Sequence, residues 1–259
     1  MDAALAVVPV PCLADNYAWL LVAGERAVVV DPGEAPPIEA ALVAHGCRLE
    51  AIVVTHHHHD HVGGIDALVS ARPGDARPAV HAGVHDLAQG RVPQASVGHA
   101  DGAAFSLLGT PWHPMHTPGH TRGATCYWLP EQAAVFTGDT LFSSGCGRLL
   151  EGDAAEQWRS LERLGALPQA TRVFCGHEYT DKNIAFAEQL WPDEPALVRA
   201  RARVGRQRRS GEPTVPSTVA LELEENLFLR CRQPALAARV RTAPGLETFV
   251  ALRQRRDRF

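Results

Sequence analysis

Between Ala51 and Gly64 the chain reads Ala-Ile-Val-Val-Thr-His-His-His-His-Asp-His-Val-Gly-Gly. Imidazole and carboxylate at this density bind zinc, iron or manganese. In an extended segment alternate side chains share a face, so His56 and His58 can grip one ion. Asp60 and His61 then reach a second ion close by. Other readings fit less well. An affinity tag sits at a terminus, and this run is internal and joined to a strand. A zincin helix needs a glutamate at position 58, where this chain has a histidine. A solvated loop does not concentrate five imidazoles and a carboxylate in six residues.

Three later stretches extend the ligand set. His113, His116 and His120 precede or follow the turn Thr117-Pro118-Gly119, and His120 is the expected ligand because that turn projects it off a strand end. Asp139 follows the apolar run ending in Thr137-Gly138 and is placed to bridge two cations with its two oxygens. His177 follows Val173-Phe-Cys-Gly176. Strand ends that repeat glycine and then histidine or aspartate are expected where one sheet edge lines a site. Two ions held in this way acidify a bridging water to a hydroxide nucleophile and polarise a carbonyl and its leaving group. The chemistry expected is therefore metal-assisted hydrolysis. Gly-x-Ser-x-Gly is absent, and none of the six cysteines stands in a convincing Cys/His setting.

The elements that must position these residues follow from apolar patterning. Residues 5–10, 18–23 and 26–31 read as sequential strands, 35–45 as a helix, 51–54 as the strand feeding the histidines and 62–71 as a helix. Val80-His81 is a possible short strand, and 82–102 reads as loop with weak helix. Strands return at 103–108, 111–116, 124–129 and 133–137. The order suggests an α/β fold with two sheets face to face and helices outside, a four-layer αββα sandwich. Helices are expected at 181–190, 195–209 and 217–230, the last opened by Pro216-Ser217-Thr218. The domain boundary falls near 175–180, giving a catalytic domain over 1–175 and a helical domain over 176–259.

Composition narrows the function class. At 259 residues and 46% hydrophobic content the chain can bury a sizeable core. No apolar run approaches membrane-spanning length, and Asp2 stands where a secretory leader has its basic region, so a cytoplasmic protein without membrane contact is expected. The cysteines show no CxxC pair, as expected of thiols in a reducing compartment. Residues 1–175 hold 10 basic and 18 acidic side chains, and 176–259 hold 15 and 11. A basic C-terminal part beside a cationic site points to an anionic substrate.

The motif Thr-His-x-His-x-Asp-His, with His116-Thr-Pro-Gly-His-Thr121, Phe136-Thr-Gly-Asp139 and Cys175-Gly-His-Glu-Tyr-Thr180, resembles the metallo-β-lactamase superfamily. Cys12-Leu-Ala-Asp-Asn-Tyr17, Thr137–Arg148 and Gly176–Thr180 narrow the likeness to glyoxalase II, the hydroxyacylglutathione hydrolases, nearly end to end. The resemblance implies hydrolysis of S-D-lactoylglutathione to glutathione and D-lactate by a monomeric enzyme. It implies two divalent ions, zinc first and iron or manganese as alternatives. One would be held by His56, His58 and His120, the other by Asp60, His61 and His177, with Asp139 bridging; Asp60 and Asp139 carry the catalytic assignment. Glutathione would be held by Arg148, Tyr179, Asn183, Arg253 and Arg256. His57, His59, His113 and His116 match no ligand position. Leu149-Leu150 departs from the family, which usually has at least one aromatic there, and arginine replaces lysine at 148 and 256. Asn226-Leu227 replaces an Asn-Pro.

Three rivals compete, of which a non-catalytic relative is disfavoured because no ligand position is lost. A mononuclear-iron dioxygenase acting on glutathione persulfide shares the His-x-His-x-Asp-His pattern, but the full complement through His177 favours the dinuclear hydrolase. An RNA-processing nuclease is suggested by Arg199, Arg201, Arg203, Arg206, Arg208 and Arg209, a run that could neutralise phosphates. Interleaved aromatics are lacking there, so no nucleic-acid partner is expected.

Overall fold

The structure, a computed structural model, describes residues 5–259. The chain divides into two units. The first runs to His116 and takes in Gly123–Gly138; the second comprises Thr117–Arg122 and Asp139–Phe259. The expected boundary near 175–180 marks where helices begin to dominate. By packing, residues 139–175 also group with the second unit.

The first unit opens with β1 (Ala6–Cys12), β2 (Asn16–Ala23), β3 (Arg26–Val30), helix α1 (Ala35–Ala44) and β4 (Arg48–Val53). Then come α2 (His59–Val62), α3 (Ile65–Ser70), β5 (Ala79–Gly83), α4 (Val84–Ala88) and β6 (Val97–His99). Strands β1 to β6 form one sheet in chain order, antiparallel to β3 and parallel from β3 to β6. The parallel strands β3 and β4 carry the buried apolar runs 27–30 and 51–53, as expected where both faces are covered. Ala18, Leu20, Ala27, Val29 and Ile52 pack with Ile38 and Leu42 of α1 and Ile65 and Leu68 of α3. Their neighbours in sequence, Trp19, Leu21, Val28, Ala51 and Val53, are equally buried but point to the opposite face.

A second run of strands is antiparallel: β7 (Phe105–Leu107), β8 (Thr110–His116), β9 (Thr125–Leu129) and β10 (Ala134–Gly138). It meets the first sheet at Val54-Thr55, where Tyr127 Oη donates to Val54 O at 3.1 Å and Thr125 N donates to Thr55 O at 2.9 Å. Trp112, Tyr127 and Phe136 fill the space with edge-to-face and stacked contacts.

The second unit contains the short hairpin β11 (Leu141–Phe142) and β12 (Gly145–Cys146), then α5 (Ala154–Gly165), β13 (Arg172–Cys175), α6 (Thr180–Leu190) and α7 (Pro195–Arg209). It ends with β14 (Ser217–Thr218), α8 (Val219–Glu225), α9 (Pro234–Val240) and α10 (Leu246–Arg256). Helix α5 is absent from the sequence reading although its signature is present: Asp153 and Glu156 form a reciprocal capping box. The helix expected over 217–230 is shorter, because 217–218 pairs as β14 with β13 and the helix stops at Asn226. Its cap is Thr218, whose hydroxyl accepts from Leu221 N at 3.2 Å. The stretch 82–102, expected as loop with weak helix, holds the short helix α4 and, beyond expectation, the strand β6.

Candidate metal centre

The first unit contributes an ordered imidazole cluster at the end of β4. The backbone stays extended through His58 (ψ 144°) and then turns into the single helical turn of α2. His56 and His58 therefore follow the alternation expected of them, whereas Asp60 and His61 are brought round by a helix, not by a strand. His56 Nε2 and His58 Nδ1 lie 3.1 Å apart. Two nitrogens at about 2.0–2.1 Å from one tetrahedral ion stand roughly 3.3 Å apart, so this pair is set for a common cation. His61 Nε2 lies 3.7 Å from Asp60 Oδ2. Asn16 Nδ2 donates to that same carboxylate oxygen at 3.0 Å, which gives the Asp-Asn-Tyr turn between β1 and β2 a structural purpose.

Asp31, at the end of β3, organises the cluster and was not legible from sequence, where it reads as an ordinary turn residue before Pro32-Gly33. Its Oδ1 accepts from Thr55 N at 2.7 Å, and its Oδ2 accepts from Thr55 Oγ1 at 2.6 Å and from His61 Nδ1 at 3.0 Å. Having given its proton to Asp31, the Thr55 hydroxyl accepts from His56 Nδ1, 3.1 Å away. Both imidazoles are thus protonated on Nδ1 and present Nε2 as the ligand atom. Asp31, His56 and His61 also bring ligand atoms within 4.8 Å of one another. Both Asp31 oxygens already accept hydrogen bonds, however, so we read this carboxylate as orienting the ligands, not coordinating. Gly138 (φ +47°) approaches so closely that a Cβ there would stand 2.2 Å from Thr55 Oγ1.

The second unit contributes His120, Asp139 and His177. His120 Nδ1 donates to Arg148 O at 2.9 Å, leaving Nε2 for a ligand. That Nε2 lies 3.5 Å from Asp139 Oδ2, and His177 Nε2 lies 3.4 Å from the same oxygen. One carboxylate oxygen between two imidazole nitrogens is the arrangement expected of a bridging ligand. His177 is fixed by stacking on Tyr179, with ring centroids 4.5 Å apart at 9°, and by the edge of Phe142. The donor set thus fits one or more divalent transition-metal ions: imidazole and carboxylate, with the tautomers of His56, His61 and His120 preset.

Of four other histidines, three have partners of their own. His113 packs on Trp128, His57 Nδ1 lies 3.5 Å from Asp86 Oδ2, His116 N donates to Asp101, and His59 is exposed. Four of the six cysteines are poorly placed for thiol chemistry. Cys12, Cys146, Cys175 and Cys231 are buried, and burial raises all four thiols, Cys175 to about 12.

Of the residues expected to hold the substrate, Arg148 is exposed, with Nε 4.0 Å from Asp257 Oδ1. Tyr179 is half-buried and lies beneath the Lys182 ammonium. Asn183 is buried, its Nδ2 donating to Ser143 O at 3.0 Å and its Oδ1 accepting from Arg256 Nη2 at 3.2 Å. The two arginines expected to act as a matched pair are not equivalent. Arg253 is 3% exposed, its Nη1 directed at Cys146 O and its Nε and Nη2 at Asp257. Arg256 is half-buried between the rings of Phe186 and Phe259, and burial followed by the charge of Arg253 lowers its pKa.

The arginine run of α7 is largely neutralised. Arg199 pairs with Glu224, Arg201 with Asp181 and Glu188, Arg203 with Glu225 and Arg208 with Glu178. The opposite face of the helix, Ala196, Leu197, Ala200 and Val204, is buried. A helix whose cations are paired with neighbouring acids is a poor phosphate tracker, and the nuclease reading loses its support.

Comparison with known proteins adds independent findings. Residues 14–177 match the metallo-β-lactamase superfamily, and residues 178–259 match the hydroxyacylglutathione hydrolase C-terminus. The chain is 44% identical to a hydroxyacylglutathione hydrolase of Alkalilimnicola ehrlichii, covering 97% of this chain and 98% of that one. It is 42% identical to a hydroxyacylglutathione hydrolase of Methylococcus capsulatus, covering 98% and 99%. Among solved structures, ETHE1 from Myxococcus xanthus superposes with a TM-score of 0.66 over 97% of this chain and 90% of its own at 22% identity, a likeness of fold. TTHA1623 in a di-iron-bound form gives a TM-score of 0.59 at 28% identity, covering 86% of this chain and all of that one. The αββα fold with an added helical part, expected from the order of elements, is the fold of these relatives.

Proposed function

The chain belongs to the hydroxyacylglutathione hydrolases of the metallo-β-lactamase superfamily, and on that premise we infer how its residues serve the reaction. The enzyme hydrolyses the thioester of S-D-lactoylglutathione and related 2-hydroxyacylglutathiones to glutathione and the free hydroxy acid. We propose that His56, His58 and His120 hold one divalent ion, that Asp60, His61 and His177 hold a second, and that Asp139 bridges them. Zinc is the first choice for a nitrogen-rich set, with iron or manganese as alternatives. When bound, such ions acidify a water and polarise the thioester carbonyl. The di-iron form of TTHA1623 is a dinuclear precedent on a related chain.

The protein's own contribution is orientation. Asp31 and Thr55 keep the Nδ1 protons of His61 and His56 away from the ligand side, and Arg148 O does the same for His120. Asp60 and Asp139 would supply negative charge to the cations. Arg148, Tyr179, Asn183, Arg253 and Arg256, from the helical part over 176–259 and the loop before it, are proposed to hold the two carboxylates of the tripeptide. Arg256 and Arg148 do so by direct contact and Arg253 through its charge and its grip on the loop. We extend the reading to a monomeric cytoplasmic enzyme without nucleic-acid or membrane partners. It is supported by thiols that form no disulfide and by the lack, among the described residues, of any helix long and apolar enough to cross a membrane.

The observation that carries the proposed site is the position of Asp139 Oδ2, 3.5 Å from His120 Nε2 and 3.4 Å from His177 Nε2. The test is thioester hydrolysis of S-D-lactoylglutathione with metal content measured on the same sample. Turnover with about two ions per chain is expected. A single iron with oxygen consumption on glutathione persulfide would overturn the reading in favour of the dioxygenase.

A further inference from the structure

The segment from Thr140 to Gly147 joins Asp139 to Arg148 and has little regular structure beyond the β11–β12 hairpin. Its backbone is held by side chains from elsewhere in the second unit. Thr140 O accepts from Gln157 Nε2 (2.8 Å), Ser143 O from Asn183 Nδ2 (3.0 Å), and Cys146 O and Gly147 O from Arg253 Nη1 (2.9 and 3.3 Å). Asn226 Nδ2 serves Phe142 O and Gly145 O at 3.4 and 3.0 Å. At the tip, Ser144 adopts a left-handed conformation (φ +58°) and its amide donates to Glu222 Oε2 at 2.8 Å.

Glu222 is 1% exposed and sits where three donors converge. Oε2 accepts from Ser144 N and from Asn226 Nδ2 (2.9 Å), and Oε1 accepts from Ser217 Oγ (2.5 Å). Burial pushes its carboxyl up to about 7 against the pull of these hydrogen bonds. A buried carboxylate is a costly way to fill such a space, where an apolar side chain would serve stability better. What only an acceptor can do here is hold the strained amide of Ser144 and orient the Asn226 carboxamide. The loop they fix reaches the centre directly: a Cβ on Gly147 would stand 2.0 Å from Asp139 O and 3.1 Å from His120 Nδ1.

We propose that Glu222 is a positioning residue, which sets the Thr140–Gly147 loop so that Arg148, Asn183 and Arg256 are presented to the tripeptide of the substrate. The role rests on the glutathione thioester reading above. Glu222 touches no substrate in this scheme and acts through Ser144 and Asn226. Gln at this position keeps an acceptor for the Ser144 amide, with the Ser217 hydroxyl reversing to accept; Leu fills the volume and offers none.

The test compares wild type, Glu222→Gln and Glu222→Leu as metal-loaded full chains, on S-D-lactoylglutathione and on a thioester lacking the tripeptide. Glu222→Leu should raise KM for the glutathione thioester by about 10-fold or more, the weight of a hydrogen bond to a charged group. Metal content and turnover of the small thioester should stay near wild type, and Glu222→Gln should restore most of the KM. An unchanged KM in Glu222→Leu, equal losses on both substrates, or a Gln variant as impaired as the Leu variant would each overturn the proposal. If the Leu variant does not fold, hydrogen exchange in the wild type decides. The Ser144 amide should exchange only with global opening, and exchange at surface-loop rates would overturn the anchoring. A wild type that leaves S-D-lactoylglutathione intact would instead remove the functional reading itself.

Discussion

Asp31 Oδ2 stands 3.0 Å from His61 Nδ1 while the same oxygen accepts the Thr55 hydroxyl, so one carboxylate governs the tautomers of two candidate ligands, His61 directly and His56 through Thr55. Removing it should leave both imidazoles free to rotate and to protonate on the ligand nitrogen. Asp31→Ala is expected to lower metal affinity or turnover by about 10–100-fold, the usual cost of losing a partner behind a ligand. Titration of the metal-free variant with zinc, followed by kinetics, checks this. Native affinity would mean that the imidazoles are held by packing alone.

The choice of His120 over His113 and His116 is sharpened by geometry, because only His120 lies beside Asp139, at 3.5 Å. His120→Ala and Asp139→Ala should both lose metal and nearly all turnover. His113, whose ring lies on Trp128, and His116 should tolerate alanine with most activity retained. Metal analysis and kcat/KM of the four variants provide the ranking. His116→Ala as the most damaging change would reject the assignment.

How far the site could be read from sequence follows from where each constraint resides. His56, His58, Asp60 and His61 announce themselves because metal chemistry fixes residue type and spacing within a few positions. Asp139 and His177 are readable for a similar reason, each following a strand and a glycine. Asp31 is not, since its partners Thr55 and His61 are 24 and 30 residues away and its own Asp-Pro-Gly setting is a common strand stop. Glu222 is equally silent: it sits near Glu224 and Glu225 on α8, and only packing reveals that it is the most deeply buried of the three. The turn of α2 is not legible because five histidines and an aspartate carry no helical period. That alternation still brings His56 and His58 together reflects the extended backbone through His58.

Acid should unfold the protein in part through His81 and His99. These buried residues on β5 and β6 share one hydrogen bond of 2.8 Å between Nδ1 and Nε2, and their rings stack on Phe105. Such a bond uses a single proton and suits two neutral rings. Burial, and then the charge of His99, lowers His81 to about 4, and burial lowers His99 as well. The unfolded chain, with ordinary imidazoles near 6.5, therefore takes up protons first. The stability contributed by keeping the pair neutral is complete above about pH 6.5 and is lost as pH falls toward 4. Urea unfolding at pH 7.5 and 4.5 should show a larger loss in wild type than in His81→Gln. Metal release at acid pH affects both proteins, so their difference isolates the pair, and identical losses would reject its role.

Arg253 and Arg256 both lie on α10, three positions apart, yet their surroundings assign them different tasks. Arg253 Nη1 is engaged by Cys146 O, and its Nε and Nη2 by Asp257 at 3.1 and 2.9 Å, with the guanidinium over the Phe228 ring. Alanine there would leave two loop carbonyls unserved and empty a buried site. Arg253→Ala should therefore lower the melting temperature and raise KM for the glutathione thioester together. Arg256 is held less deeply, by Asn183 Oδ1 and two aromatic rings, and keeps donors for a carboxylate. Arg256→Ala should raise KM by about 10–150-fold with little change in melting temperature. Because the contact is remote from the thioester, metal content should hold, and a thioester without the tripeptide should react at nearly the native rate. Arg255, which is exposed and donates to Val240 O, and the exposed Arg258 are the controls. Steady-state kinetics and thermal melting of the four alanine variants separate these tasks. Equal, small effects at all four positions would mean that the end of α10 is only a solvated helix terminus and that the tripeptide is held elsewhere.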